Sequence, residues 1–153
     1  MVKFLTKLIA TFFYIGYFPL IPGTAGSLAG VLIYLLIKNN ILTFIFTLSA
    51  LLALGFLVCG KVEELGRKKD PSYVIIDEVC GMLLSLIFLP FDIRLVMLAF
   101  FIFRILDTLK PCPIGRLEKF KGSLGIMGDD IVAGIYTNIV LQAVLIFVAF
   151  KGA

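Results

Sequence analysis

Long apolar segments alternate with short polar segments along most of the chain. Residues 41–60 and 131–150 each contain twenty residues without a charge, the length at which an α-helix crosses the ~30 Å hydrocarbon core of a bilayer. Three shorter apolar segments, at 24–37, 79–89 and 95–109, are predicted to be further membrane helices that extend into polar ends or lie in a thinned bilayer. The pattern therefore predicts an all-α integral membrane helical bundle with about five membrane helices.

Proline and glycine interrupt the first apolar run and mark the ends of its helices. Pro19 and Pro22-Gly23 separate an N-terminal helix at about 3–15 from the first predicted membrane helix. The N-terminal helix carries lysines between apolar residues, so it is predicted to lie at the membrane interface. Thr24 is predicted to cap the helix that follows.

The composition supports a membrane protein and excludes several kinds of site. Hydrophobic residues make up 61% of the chain and charged residues 16%, against about 45–50% and 25% in soluble domains. The 153 residues are predicted to form a single membrane-embedded domain. Histidine is absent, which excludes a Ser-His-Asp triad and His-ligated zinc. No nucleic-acid partner is expected, because the basic residues are not interleaved with aromatics on a polar face.

The basic residues predict an orientation. If the five helices alternate across the membrane, one side receives all of the 14 lysines and arginines except Lys38, Arg94 and Lys151. By the positive-inside rule, that side faces the cytoplasm.

Half of the ten acidic residues stand beside apolar helices, not in polar loops among basic residues. These five are Asp77, Glu78, Asp107, Asp129 and Asp130, and the topology places all of them on the cytoplasmic side. Helix capping accounts for a single aspartate at a helix start. Capping does not account for two adjacent carboxylates at each of two helix starts, or for Asp107 near the end of a helix. Carboxylates near hydrocarbon are costly unless they are paired or bind metal, so a shared site for a hard cation, Mg²⁺ by default, is predicted.

Groups that could bind phosphate occur near these acids. Arg104, Asp107 and Lys110 are spaced to share one helix face, which predicts an intrahelical salt bridge and a phosphate held by the two cations. Thr24 and Ser27 belong to a small-residue helix start whose N–H and hydroxyl groups could approach an anion. Such a glycine-rich start is also common as a simple turn.

Four sequence blocks occur together in one order and span about residues 16–136. They are Pro22-Gly23-Thr24 with Gly26-Ser27-Leu28; Ile76-Asp77-Glu78-Val79 with Gly81; Phe103-Arg104 with Asp107, Lys110-Pro111 and Pro113-Ile114; and Gly128-Asp129-Asp130 with Ala133-Gly134. In these blocks the sequence resembles the phosphatidylglycerophosphatase A family. It departs from the family at Ala25 and Cys112, where a bulky aromatic residue is frequent.

The resemblance implies an Mg²⁺-dependent phosphatase that converts phosphatidylglycerophosphate to phosphatidylglycerol at the bacterial inner membrane. The site implied for it faces the cytoplasm. The five carboxylates are its candidate catalytic residues, with Glu78, Asp107, Asp129 and Asp130 as candidate metal ligands. Thr24, Ser27, Arg104 and Lys110 are candidate phosphate-binding residues. Whether a carboxylate acts as general base or as nucleophile stays open.

Two other classes of protein fit part of the pattern. A small cation channel or transporter would use the same carboxylates, but spread through the membrane depth or paired across it. A structural or assembly subunit would use small residues at helix contacts, and the spacing of Gly26 and Gly30 fits such a contact. The chain could therefore form a homo-oligomer with any of these functions.

Overall fold

A computed structural model describes residues 2–66, 71–117 and 119–152, and this part of the chain contains helices and no β-strand. The all-α prediction is confirmed. The helices are α1 (Val2–Ala10), α2 (Pro22–Ile37), α3 (Ile41–Gly66), α4 (Ile76–Leu86), α5 (Ile93–Leu109), α6 (Ile114–Leu117) and α7 (Ser123–Gly152). A single 3-10 turn, Ile15–Tyr17, lies between α1 and α2.

The first two helices differ from the sequence prediction at their ends. Helix α1 ends at Ala10, not at residue 15, because Phe12, Phe13 and Tyr14 adopt the left-handed backbone region with φ of 43°, 56° and 68°. The prediction that Thr24 caps α2 is wrong. The helix begins at Pro22, whose fixed φ and missing N–H suit the first helical position.

Helix α7 begins at Ser123, well before the predicted start at residue 131. Its first turn is anchored by α3: the Ser123 hydroxyl donates to the carbonyl of Phe56 (2.6 Å) and accepts from the N–H of Gly60 (2.8 Å). The prediction that Asp129 and Asp130 open this helix is therefore wrong. Both aspartates lie inside the helix, and capping does not explain them.

Within the residues that the structure describes, two helices are long and apolar enough to cross a membrane, judged by length and composition alone. They contain the stretches Ile41–Glu64 and Ser123–Ala149, and only 22% and 28% of the residues in their most apolar windows are buried within the protein. Helix α2 is apolar but shorter. Helix α4 has 11 residues, about 16 Å of length, which is short of a bilayer. The prediction of five membrane helices is thus not confirmed.

Helix α4 is the most buried of these elements and lies between α2 and α7. Val79, Met82 and Leu83 of α4 have no exposed surface. Glycines allow the close approach on both sides: a Cβ atom added at Gly30 would lie 2.8 Å from the Cβ of Met82. On the other side, a Cβ at Gly81 would lie 2.7 Å from the carbonyl oxygen of Asp130.

Gly26 and Gly30, whose spacing suggested a contact between helices, make that contact with α4 of the same chain. Gly26 faces Ile75 and Glu78, and Gly30 faces Val79 and Met82. These two glycines therefore pack α2 onto α4. Their spacing gives no separate indication of a homo-oligomer.

A buried asparagine on α7 donates hydrogen bonds to backbone carbonyls at the end of α4. The Nδ2 group of Asn138 donates to the carbonyls of Ser85 (3.1 Å) and Ile87 (2.8 Å), and its Oδ1 accepts from Gln142 (2.8 Å). Buried backbone carbonyls without partners are costly, so this contact allows α4 to end inside the protein.

Substituting Gly81 should test the close packing of α4. The added methyl of Gly81→Ala meets the Phe103 ring and the α7 backbone, and we expect a loss of about 1–3 kcal/mol in the free energy of unfolding. Gly128→Ala is the matched control, because its nearest neighbour is the Leu117 side chain at 3.7 Å. We expect it to be neutral or to stabilise by up to about 1 kcal/mol. Thermal or denaturant unfolding in detergent measures both, and equal stability of the two variants would contradict the packing described.

Candidate active site

Four helices contribute to one polar cavity of about 240 Å³. The cavity is bordered by the starts of α2 and α4, the end of α5 and the second turn of α7, which means that α5 runs towards it and the other three run away. Its lining residues are Pro22, Gly23, Ser72, Val74, Asp77, Glu78, Arg104, Asp107, Lys110, Asp129 and Asp130. All five carboxylates singled out in the sequence, and both cations, are thus brought together.

The start of α4 is fixed by the N-terminal segment. The N–H of Ile75 donates to the carbonyl of Ala10 at 3.0 Å, and Gly16 packs against the backbone of Tyr73. One residue into α4, the carboxylate of Asp77 accepts from the N–H of Glu78 at 3.1 Å. The segment before α4 and the turn after α1 therefore position the first two carboxylates.

Asp77, Glu78 and Asp130 form a carboxylate triad in which Asp77 and Asp130 are buried and Glu78 is half-buried. Each offers one oxygen atom, and these three atoms lie within 4.8 Å of one another. Asp77 is 5% exposed and Asp130 is 4% exposed. Among the described residues, Glu78 Oε2 and Asp130 Oδ1 are buried and have no hydrogen-bond partner. Buried acidic oxygens this close together repel one another unless a cation or a proton lies between them.

Asp107 lies beside the triad and is paired with Arg104. The Nη1 atom of Arg104 lies 2.6 Å from Oδ2 of Asp107, as the i, i+3 spacing predicts. The Asp107 carboxylate also interacts electrostatically with those of Glu78 and Asp130. Gly23 closes this wall: a Cβ there would lie 2.6 Å from Glu78 Oε1 and 3.0 Å from Arg104 Nη1. A larger residue at this position would require the ends of the Glu78 and Arg104 side chains to move.

Lys110 joins α5 to α7 through Asp129. Its Nζ atom lies 2.8 Å from Oδ2 of Asp129, whose side chain is 6% exposed. Lys110 ends α5 in the left-handed backbone region, with φ of 45°, which allows its side chain to reach another helix. This second ion pair is absent from the sequence prediction, in which Lys110 shared a helix face with Asp107.

The predicted metal ligands divide into two groups. Glu78 and Asp130 belong to the triad with Asp77, whereas Asp107 and Asp129 each pair with a basic side chain. The triad offers three carboxylate oxygens within 4.8 Å of one another, and oxygen is the ligand type that a hard divalent cation such as Mg²⁺ prefers.

Thr24 and Ser27 do not line the cavity. The Ser27 hydroxyl is buried and donates to the carbonyl of Gly23 at 3.0 Å. Their phosphate-binding role stays a prediction that this placement does not support. Gly23, which belongs to the first sequence block, and Ser72, which was not singled out, line the cavity instead. Ser72 lies in a polar stretch typical of a solvated loop, and nothing in its sequence context points to a site.

Buried carboxylates beside an arginine and a lysine are the groups that phosphoryl-transfer enzymes use to hold cations and phosphate oxygens. The family model for phosphatidylglycerophosphatase A matches residues 8–145. Among curated relatives, phosphatidylglycerophosphatase A of Escherichia coli is 37% identical over 136 residues, which cover 84% of this chain and 76% of the relative. The Haemophilus influenzae protein of the same name is 35% identical over 127 residues, which cover 80% and 78%.

A third relative carries another name. A Bacteroides thetaiotaomicron protein, named provisionally as a phosphatidylinositol-3-phosphatase, is 37% identical over 148 residues, which cover 91% of this chain and 92% of the relative. No solved structure matches the chain. The chain belongs to the phosphatidylglycerophosphatase A family, as its four sequence blocks predict, and it is a phosphatase.

Neutralising one member of the triad should stabilise the protein. In Asp130→Asn the amide removes one of the mutually repelling buried charges and can donate to the neighbouring carboxylates. We expect the free energy of unfolding in EDTA to rise by about 1–3 kcal/mol. Glu64→Gln is the control, because this exposed acid on α3 lies outside the cavity, and it should leave stability unchanged. A destabilised Asp130→Asn protein would count against a repulsive triad.

Proposed function

We propose that the chain hydrolyses the terminal phosphate monoester of phosphatidylglycerophosphate to give phosphatidylglycerol and inorganic phosphate. The observation that carries the proposal is a single cavity in which Arg104 and Lys110 stand beside the triad of Asp77, Glu78 and Asp130. The family description and the names of two relatives support the same substrate.

Mg²⁺ is the proposed cofactor, and Asp77, Glu78 and Asp130 would hold it. The support is chemical: the three residues offer only oxygen ligands, and buried oxygens of Glu78 and Asp130 lack another partner among the described residues. When bound, the ion supplies charge neutralisation for phosphate oxygens and orients a water molecule.

Arg104 and Lys110 bind and orient the phosphate in this proposal. Arginine has five N–H donors, of which the bond to Asp107 uses one, so the guanidinium can hold Asp107 and phosphate oxygens together. Asp107 fixes the direction of that guanidinium, and Asp129 does the same for the Lys110 ammonium. Both cations then stabilise the charge on the transferring phosphoryl group.

The reaction consumes one water molecule and breaks the bond between phosphorus and the lipid oxygen. The phosphoryl group goes to water, and the lipid leaves with a hydroxyl group in place of its phosphate. A carboxylate of the cavity accepts a proton from the attacking water and returns it to the departing lipid oxygen, which leaves as the hydroxyl group.

We further propose that the chain is a multi-pass protein of the bacterial inner membrane with the cavity facing the cytoplasm. The support is the low burial of the most apolar windows of α3 and α7, which leaves extensive apolar surface to be covered from outside. Helices α2, α4 and α5 would complete a five-helix bundle, with α1 at the interface. In the topology predicted from the sequence, most lysines and arginines fall on the same side as the five carboxylates, and the positive-inside rule assigns that side to the cytoplasm.

Of two other candidate functions, one is supported by a relative and the other is not. The name of the Bacteroides relative favours a phosphoinositide 3-phosphate as a second candidate substrate, since it is also a lipid phosphate monoester. A cation channel or transporter finds no support, because the five carboxylates collect in one cavity and are not spread along the helices.

Phosphate release from detergent-purified protein tests the proposal. We expect Mg²⁺-dependent release from phosphatidylglycerophosphate that EDTA abolishes, with slower release from phosphatidylinositol 3-phosphate and phosphatidic acid. Asp130→Asn should lose at least about a hundredfold in rate, because it removes a proposed metal ligand. Mg²⁺ should also raise the unfolding temperature of the wild type and not that of Asp130→Asn.

Glu64→Gln, with its exposed side chain, should keep wild-type activity. Faster release from the phosphoinositide would move the assignment to the second candidate substrate. Folded wild-type protein that released phosphate from none of these lipids would overturn the proposal.

The orientation can be tested with a native cysteine. Cys112 is exposed near the end of α5 that borders the cavity, whereas Cys59 and Cys80 are buried. A membrane-impermeant thiol reagent should label Cys112 in inverted inner-membrane vesicles and not in intact spheroplasts. Asn39→Cys, placed at the far end of α2 in a Cys112→Ser background, should show the reverse pattern. Labelling of both positions from the same side would contradict the proposed topology.

A further inference from the structure

Two apolar grooves lie on the outer surface close to the cavity. The first, of about 290 Å³, follows α2 and is lined by apolar residues that include Phe18, Ile21, Ala25 and Leu32. The second, of about 260 Å³, lies between α2 and α5 and includes Val31, Met97 and Phe100. Leu28 of α2 borders both grooves and is half exposed.

Both grooves begin next to residues of the cavity. Ile21 of the first groove directly precedes Pro22, which lines the cavity. Phe101 of the second groove lies one helical turn from Arg104, and Arg104 contacts Gly23 at the top of α2. A molecule whose phosphate occupies the cavity therefore has both grooves within its immediate reach.

The first groove is about as long as the hydrocarbon layer of one bilayer leaflet is thick. From Ile21 to Leu32 it follows about 16 Å of helix at 1.5 Å per residue, and half of a ~30 Å hydrocarbon core is about 15 Å. The second groove extends along α5 in the same direction, away from the cavity, as far as Ile93.

We propose that the two grooves bind the two acyl chains of the lipid substrate, one on each side of Leu28. The inference rests on the proposed function, because it takes the occupant of the cavity to be a lipid phosphate monoester. The two acyl chains of one glycerolipid match two neighbouring grooves that begin beside the cavity and share Leu28 as a border. The grooves are entirely apolar in lining, so they suit hydrocarbon and offer nothing to a polar ligand.

Filling the grooves with a larger side chain should slow the hydrolysis of substrates that carry acyl chains and leave the hydrolysis of chain-free substrates unchanged. We expect Leu32→Trp and Met97→Trp each to lower kcat/KM for a long-chain diacyl phosphatidylglycerophosphate about tenfold, the effect of displacing roughly two methylene groups. Hydrolysis of the chain-free headgroup, glycerophosphoglycerol phosphate, should change less than about twofold. Leu57→Trp is the matched control, since Leu57 is 62% exposed on α3 and lines neither groove.

The outcomes separate this inference from the proposed function. An active wild type whose Trp variants lose equally on both substrates, or no more than Leu57→Trp, would overturn the groove assignment alone. Wild-type protein inactive on both substrates would overturn the proposed function.

A binding measurement tests the grooves independently of turnover. A phosphatidylglycerophosphate with a photoreactive acyl chain should crosslink to α2 and α5 residues of the grooves in preference to a phosphatidylcholine with the same chain, and excess chain-free headgroup should reduce the crosslink. Equal crosslinking by the two lipids would mean that bulk lipid covers the grooves and would overturn the inference.

Discussion

Helix α4 lies between α2 and α7 at distances that only glycine allows, and the geometry of the cavity follows from this packing. Gly30 on one side and Gly81 on the other bring backbone next to side chain without an intervening Cβ. Because α4 and α7 are this close, the carboxylates at the start of α4 meet Asp130 of α7. A bulkier residue at either glycine would separate the helices and, with them, the carboxylates.

The cavity gathers more negative charge than the described basic groups around it balance. The two ion pairs, Arg104 with Asp107 and Lys110 with Asp129, each use one carboxylate and connect the end of α5 to its surroundings. The triad is left with buried acidic oxygens that only a cation or a proton can compensate. Such an arrangement lowers stability, and a site of this kind persists because its chemistry requires it. The proposed binding of Mg²⁺ and phosphate gives the triad that purpose.

The polar groups of the site and the apolar grooves occupy different positions along the helices. The reactive groups collect at one end of α2, α4 and α5, while the outer faces of α2 and α5 are apolar and grooved. An amphiphilic substrate has the same division between phosphate and acyl chains. In the proposed reaction, the lipid would therefore keep its chains in hydrocarbon while its phosphate enters the cavity.

The helical architecture, the family and the five candidate carboxylates could be predicted from the sequence, because apolar runs, prolines and glycines at helix ends, and paired acidic residues are local features of the chain. The Arg104–Asp107 pair could be predicted as well, since it depends only on helical spacing. The start of α7 depends on tertiary contacts, since the bonds that hold Ser123 come from α3. Tertiary packing also pairs Lys110 with Asp129 and brings the Asn138 side chain to the carbonyls at the end of α4. These contacts join residues or helix faces whose approach is set by packing, and local sequence carries no record of which faces meet.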